Sequence, residues 1–236
     1  MRVAISILLL SLFLFSCSPR YYSPNTLNTP LLTQKGETSI NVTGREALIE
    51  VQGAYAVANH IGILANGSFF IPKNEDNGDG GQGKFVEAGI GYFTPMSNNM
   101  VFDTYLLIGG GNVENHFPSS VTDHPGTTGK IEANLFRIGI QPGIGYKIKN
   151  FEAAFNPRIS YLTYNSIEGN LIVQEDQVKY LNDNKSNFLV EPAITVRGGF
   201  EKIKAEVQLG YSFNVSNVDF KQDKLWLSFG LGFRFK

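Results

Sequence analysis

The stretch ENHFPSSVTDHPGTTG, residues 114–129, holds the side-chain types of an acyl-transfer centre: Ser119 and Ser120, His116 and His124, and Asp123. Nucleophile, base and orienting acid cooperate only when each lies within hydrogen-bond reach of the next. A polar stretch with Pro118, Pro125, Gly126 and Gly129 fixes no such geometry by itself, so a surface loop without catalytic residues is expected. Upstream, KNEDNGDGGQG, Lys73 to Gly83, spaces Glu75, Asn77, Asp79 and Gly80 in the manner of a calcium loop. Such a loop closes on a bidentate acid at its twelfth position. Here that position is Val86, with Glu87 one residue later, so a solvated glycine-rich loop is expected, with no metal or other cofactor.

The single cysteine, Cys17, offers a different chemistry. One thiol excludes an internal disulfide framework and any multi-cysteine metal site. Cys17 stands where an apolar run, Val3 to Phe15 behind Arg2, gives way to SPRYYSPN. The run is shorter than the ~20 apolar residues of a transmembrane helix and has the build of a secretory signal. Leu14 and Ser16 ahead of Cys17 resemble a bacterial lipobox, whose cysteine is acylated and heads the mature chain. Residues 1–16 therefore read as a lipoprotein signal peptide, with Cys17 as the lipid attachment point and membrane lipid as the implied partner. Residues 17–35, with Pro19, Pro24 and Pro30, read as a tether stiffened by proline. Residues 36–236 hold the folded unit.

In that unit apolar residues recur at every second position. In KLWLSFGLGFRFK one face is Leu225, Leu227, Phe229, Leu231, Phe233 and Phe235; the other is Trp226, Ser228, Gly230, Gly232 and Arg234. FRIGIQPGIGYKI, FEAAFNPRISY, FLVEPAITVRGGF and IKAEVQLGYSF divide in the same way. Period two is the mark of a β-strand whose faces meet different environments. The composition agrees, with 25 Gly, 18 Phe and 10 Tyr in 236 residues, and a net charge of -1 gives no reason to expect a nucleic-acid partner.

A soluble barrel turns its apolar face inward; a membrane barrel turns it to lipid and keeps a polar lumen. The polar face here is rich in glycine and carries charges of both signs, which suits a narrow lumen better than a water-facing surface. An antiparallel up-and-down transmembrane β-barrel is therefore expected. Ten strands are read, near 37–43, 47–58, 61–71, 84–94, 100–113, 130–148, 151–164, 187–200, 202–213 and 224–235, with eight as the alternative if the first fails. From the second strand on, tight turns alternate with longer polar loops at 72–83, 114–129, 165–186 and 214–223. Outer-membrane barrels have short periplasmic turns and long external loops, which puts both chain ends on the periplasmic side. GxG pairs followed by aromatics, as at Gly89-Ile90-Gly91-Tyr92 and Gly143-Ile144-Gly145-Tyr146, place rings at the lipid–water boundary. No helical pattern follows them, as a dinucleotide site would require.

By parity Glu50, Glu87, Asp103, Glu152, Glu191 and Glu206 point into the lumen, as do Arg137, Arg158, Arg197, Lys204 and Arg234. Mixed signs predict a paired network rather than the one-signed ring of a selective pore. The leading reading is a non-enzymatic barrel with a largely filled lumen that offers its external loops to envelope or surface proteins. The alternatives are a narrow pore for small solutes and a soluble lipocalin-like carrier of an apolar ligand, the last requiring the apolar face inside.

Several segments carry a family likeness: the Cys17 boundary, Asn28-Thr29-Pro30-Leu31 leading to Lys35-Gly36-Glu37, Val51-Gln52-Gly53-Ala54-Tyr55-Ala56-Val57 with Asn59-His60-Ile61-Gly62, and the Phe-rich end. Together they resemble small outer-membrane β-barrel lipoproteins of the Bacteroidota type. The resemblance implies a place, the bacterial outer membrane, and a fold; it implies no reaction.

Overall fold

The runs of period-two alternation become ten strands, each hydrogen-bonded to the next in sequence: β1 (Thr38–Arg45), β2 (Leu48–Ala58), β3 (Ile61–Asn74), β4 (Gly80–Pro95), β5 (Met100–His116), β6 (Lys130–Ile148), β7 (Phe151–Asn170), β8 (Ser186–Gly199), β9 (Ile203–Tyr211) and β10 (Leu225–Phe235). The last strand pairs antiparallel with the first, from Thr38↔Phe235 to Gly44↔Phe229, so the meander closes into a barrel. A two-residue strand, Phe213–Asn214, continues β9 along β8. The computed structural model describes residues 18–74 and 77–236. The expected signal peptide (1–16), Cys17 and Glu75 lie outside the described residues.

Turn chemistry separates the two rims. At one rim β2–β3, β4–β5, β6–β7 and β8–β9 are joined by short turns. Asn98 and Asn99, both at left-handed φ of 60° and 61°, form one of them, and Asn tolerates that region better than most residues. At the other rim the connections are longer and carry two short helices, α1 (Ser119–Asp123) and α2 (Gln177–Asp183). Asp176 caps α2 by accepting from the backbone N–H groups of Val178 and Lys179 at 2.9 and 3.0 Å. The β1–β2 turn at this rim is tight. Several strands run further toward the long-loop rim than the alternation indicated: β7 reaches Asn170, which pairs with Lys130, and β4 begins at Gly80, opposite His116.

The apolar set faces outward on every strand. Ile49, Ile63, Ile90, Leu106, Ile138, Ile194, Leu209 and Phe229 are exposed, Leu106 by 63%. The inward set is polar at mid-height and packed. Inward glycines make room for large inward side chains: Gly210 opposes Trp226 across the β9–β10 ladder, and a Cβ there would overlap the indole ring.

The segment expected to be a tether is not one. From Pro24 to Leu32 every residue is buried. The chain enters at the long-loop rim, where Tyr21 and Tyr22 pack with Tyr164, Leu181 and Phe220. It descends through the lumen and reaches the short-turn rim, where Leu31 meets Val101 and Ala154 and Leu32 meets Phe93 and Tyr105. Gly36, at φ 85°, sits in the reversal that leads into β1. Proline stiffens this piece for a buried path rather than a solvated one. The threading also corrects the expected placement of the ends: Ser18 lies at the long-loop rim, whereas β10 ends with Phe235 at the short-turn rim.

Trp226 is the sole tryptophan, 2% exposed, so its fluorescence reports on this packing. Gly210→Val is expected to displace the ring, cost about 1–3 kcal/mol and shift Trp226 emission to longer wavelength in the folded state. An unchanged spectrum and midpoint in chemical denaturation would contradict the packing.

Candidate functional site

An extended segment inside a closed sheet has no ladder to join, yet its buried N–H and C=O groups need partners. Inward side chains of the barrel supply them. Gln208 makes a two-way clasp: its Oε1 accepts from the Leu27 N–H and its Nε2 donates to the Leu27 carbonyl, both at 2.8 Å. Gln52 Nε2 donates to the Thr26 carbonyl at 3.0 Å, and Gln141 Nε2 to that of Asn28 at 2.8 Å. The Glu50 carboxylate accepts from the Thr26 N–H at 3.0 Å and also from the Thr26 hydroxyl. Lys147 Nζ donates to the Leu31 carbonyl at 2.8 Å and pairs with Glu37 at the short-turn rim.

The arginines grip the same segment. Arg197 donates from Nη1 to the Thr29 carbonyl and from Nη2 to the Thr29 hydroxyl, each at 2.7 Å. Its Nε reaches Glu206 at 2.6 Å and its Nη1 reaches Glu152 at 3.0 Å. Lys204 and Arg234 also converge on Glu152, at 3.3 and 2.9 Å. Nearer the long-loop rim, Arg137 pairs with Glu87 at 2.6 Å and Arg158 with Glu191 at 2.7 Å. Both donate to Asn25 Oδ1, at 2.7 and 3.0 Å. The Tyr22 hydroxyl joins the two pairs: it accepts from Arg137 at 2.7 Å and donates to Glu191 at 2.8 Å.

All eleven lumen charges read from parity are buried, and nine of them are ion-paired, in these two clusters. Two depart from the expected charge network. Among the described residues Glu50 has no cation partner; backbone and hydroxyl donors of Thr26, Thr43 and Ser68 hold it instead. Asp103 accepts from the Asn156 amide at 3.4 Å and has no ion pair among the described residues. Parity tells which face a residue takes but not its height in the barrel, and neither carboxylate has an Arg or Lys of the described residues within salt-bridge reach at its own level.

The two serines of this loop make structural hydrogen bonds. Ser119 donates its hydroxyl at 2.6 Å and its N–H at 3.1 Å to Asp79, tying the β3–β4 loop to α1. The Ser120 hydroxyl donates to the Phe117 carbonyl at 2.7 Å. Asp79 is thus an acceptor for α1, and no group of three His, Cys, Asp or Glu side chains able to hold a metal occurs among the described residues.

Sequence reasoning missed the segment's own polar residues: Tyr22, Asn25, Thr26, Asn28 and Thr29. Their signal is the run from Tyr21 to Gln34, which has no charged residue. A solvated tether would be expected to carry some.

No family model and no curated protein matches the chain. One solved structure, described as "Unveiling the Mechanism Behind the in-meso Crystallization of Membrane Proteins", aligns over 85% of this chain and 83% of its own, at 9% identity and a TM-score of 0.30.

Removing one member of a buried pair leaves an uncompensated charge, which costs about 3–5 kcal/mol. Arg197→Ala strands Glu206, part of Glu152 and the Thr29 carbonyl, so a loss of that size is expected in denaturant titration. Arg197→Lys should recover only part of it, because an ammonium cannot span these partners as a guanidinium fork does. A loss below ~1 kcal/mol for Arg197→Ala would show that the lumen segment is held elsewhere.

Proposed function

We propose that this protein is a non-enzymatic outer-membrane β-barrel lipoprotein whose lumen is closed by its own N-terminal segment and whose long loops face outward for contact with envelope or surface proteins. The observation that carries the reading is the outer wall. All ten strands expose Ile, Leu, Val or Phe in one continuous belt. Soluble monomers rarely expose apolar patches beyond a few hundred Å², and this one encircles the molecule while the charges lie inside. β10 has 11 residues; at about 3.3 Å per residue and a tilt of about 40°, it rises roughly 27 Å, close to the ~25 Å apolar band of such barrels. No helix of the described residues is long and apolar enough to cross a membrane.

Acylation of Cys17 belongs to the same proposal. The threaded segment delivers Ser18 to the long-loop rim, so a lipid one residue earlier would enter the leaflet on that side. The pore reading is weaker, because the lumen segment and its side-chain clasp occupy the path. The carrier reading needed the apolar set inside, whereas at mid-height the inward set is polar.

Three outcomes are expected. In vesicle flotation the refolded barrel should rise with lipid and precipitate when detergent is removed without lipid; a monodisperse protein in plain buffer would sink the membrane reading. Fatty-acid labelling should be lost in Cys17→Ala, and an epitope inserted after Ser18 should be reached by antibody on intact cells while one after Lys236 is not; equal labelling, or the reverse exposure, would refute the anchor or the orientation. In planar bilayers the wild type should show no steady conductance, and a large stable current would promote the pore.

A further inference from the structure

At the long-loop rim the threaded segment leans to one side. Tyr21 and Tyr22 pack toward β7, α2 and Phe220, and the space between them and β3–β6 is a half-open cavity of about 380 Å³. Its lining departs from the polar character of the lumen below. Phe70, Phe85, Val113 and Leu135 point inward from four successive strands, and Phe117 closes the side. Phe70, Val113 and Leu135 are only half-buried, although they face inward. The polar rule that holds at Ser68, Glu87 and Arg137 is dropped one step higher: Val113 and Leu135 pack on one side against the cluster of Tyr21, Tyr22 and Phe117, and with Phe70 they keep part of their surface open to the cavity.

The charges around the cavity are mixed in sign, Arg20, Lys84 and Arg137 against Glu46, Asp79, Glu114 and Asp223, and several are engaged with one another or with neighbours. Glu114 pairs with Lys130 at 3.1 Å, Asp223 accepts from Ser23 at 2.7 Å, and Asp79 is taken by Ser119. The site therefore offers little net field to a charged ligand. At its floor Arg137 stacks on the Phe85 ring, 4.5 Å from guanidinium carbon to ring centroid. Arginine has five N–H donors. Those of Arg137 make two bonds to Glu87, one to Tyr22 and one to Asn25, which leaves one Nη1 hydrogen with no acceptor among the described residues. An unpaired donor in an apolar, concave site of this size is the usual layout of a small-molecule pocket.

We propose that this vestibule binds a neutral small molecule with an aromatic body and one hydrogen-bond acceptor, its rings against Phe70, Phe85 and Phe117 and its acceptor on Arg137 Nη1. The site rests on the geometry of the rim and stands whether the outer wall meets lipid or water.

Benzophenone has this chemistry: two rings, one carbonyl and, on irradiation, insertion into nearby C–H bonds. With the full chain in micelles, mapping by peptide mass spectrometry should find saturable labelling at Phe70, Val113, Leu135 or Tyr22. Val113→Trp or Leu135→Trp fills the cavity and should lower that labelling at least tenfold. Labelling at outward Val86 and Ile108 should be non-saturable and equal in all three proteins, which also reads separately whether the wall takes up apolar solute. Two tryptophan variants guard against one that fails to fold, and the saturation curve of the wild type stands without either. Inward labelling that does not saturate, that matches the outward positions, or that survives both substitutions would overturn the proposal. Occupation of the vestibule by the chain's own neighbouring segments would give the first of these results.

Discussion

A peptide segment inside a closed sheet must find hydrogen-bond partners for a backbone that no strand can pair. Each N–H or C=O left bare in a dry interior costs on the order of 1–3 kcal/mol. Gln52, Gln141, Gln208, Glu50, Arg158, Arg197 and Lys147 meet this demand along residues 25–31. The wall residues are long and polar because the segment's backbone is out of reach of the sheet's own amides. Asn25, Thr26, Asn28 and Thr29 of the segment are short and polar because little room remains between it and the wall, while Leu27 and Leu31 pack on Trp226 and on Val101 and Ala154. Inner wall and threaded segment are thus two halves of one hydrogen-bonded structure.

Charge follows from that arrangement. Guanidinium groups serve well here because a planar fork can hold a wall carboxylate and a backbone carbonyl at once, as Arg197 does with Glu206, Glu152 and Thr29. Each buried cation then needs its acids. Some sit directly opposite on a neighbouring strand, as Glu191 does for Arg158 and Glu206 and Glu152 do for Arg197; others reach across the lumen, as Glu87 does to Arg137 and Glu152 to Arg234. With the inside committed to polar work, period-two alternation sends Ile, Leu, Val and Phe outward on every strand.

The barrel was legible because alternation is a local signal. One face of β10 is apolar at each of its positions, and the parity of β6, β7, β8 and β9 put every inward charge on its observed face. Strand ends were less legible. Gly80 to Gly83 and Glu168 to Asn170 look like loop residues, yet pairing with Val113–His116 and Lys130–Glu132 extends the wall through them. The path of residues 18–35 could not be read from periodicity at all, because its partners come from strands up to some two hundred residues away, as in the contact of Tyr22 with Gln222. Prolines at 19, 24 and 30 suggested a spacer; the absence of charge from Tyr21 to Gln34 was the countersign. Glu50 and Asp103 show the remaining gap: parity fixes direction, and only the three-dimensional register fixes neighbours.

The ring is sealed by hydrogen bonds between Thr38–Gly44 and Phe229–Phe235, while the residues just before Thr38 run back through its centre. In the vocabulary of interlocked molecules the protein is threaded on itself, an axle and a macrocycle in one chain. Drawing the axle into a finished ring would strip partners from buried arginines and carboxylates at every step. Seam and axle therefore hold one another in place: the ring supplies the axle's hydrogen-bond partners, and the axle fills the space the ring encloses.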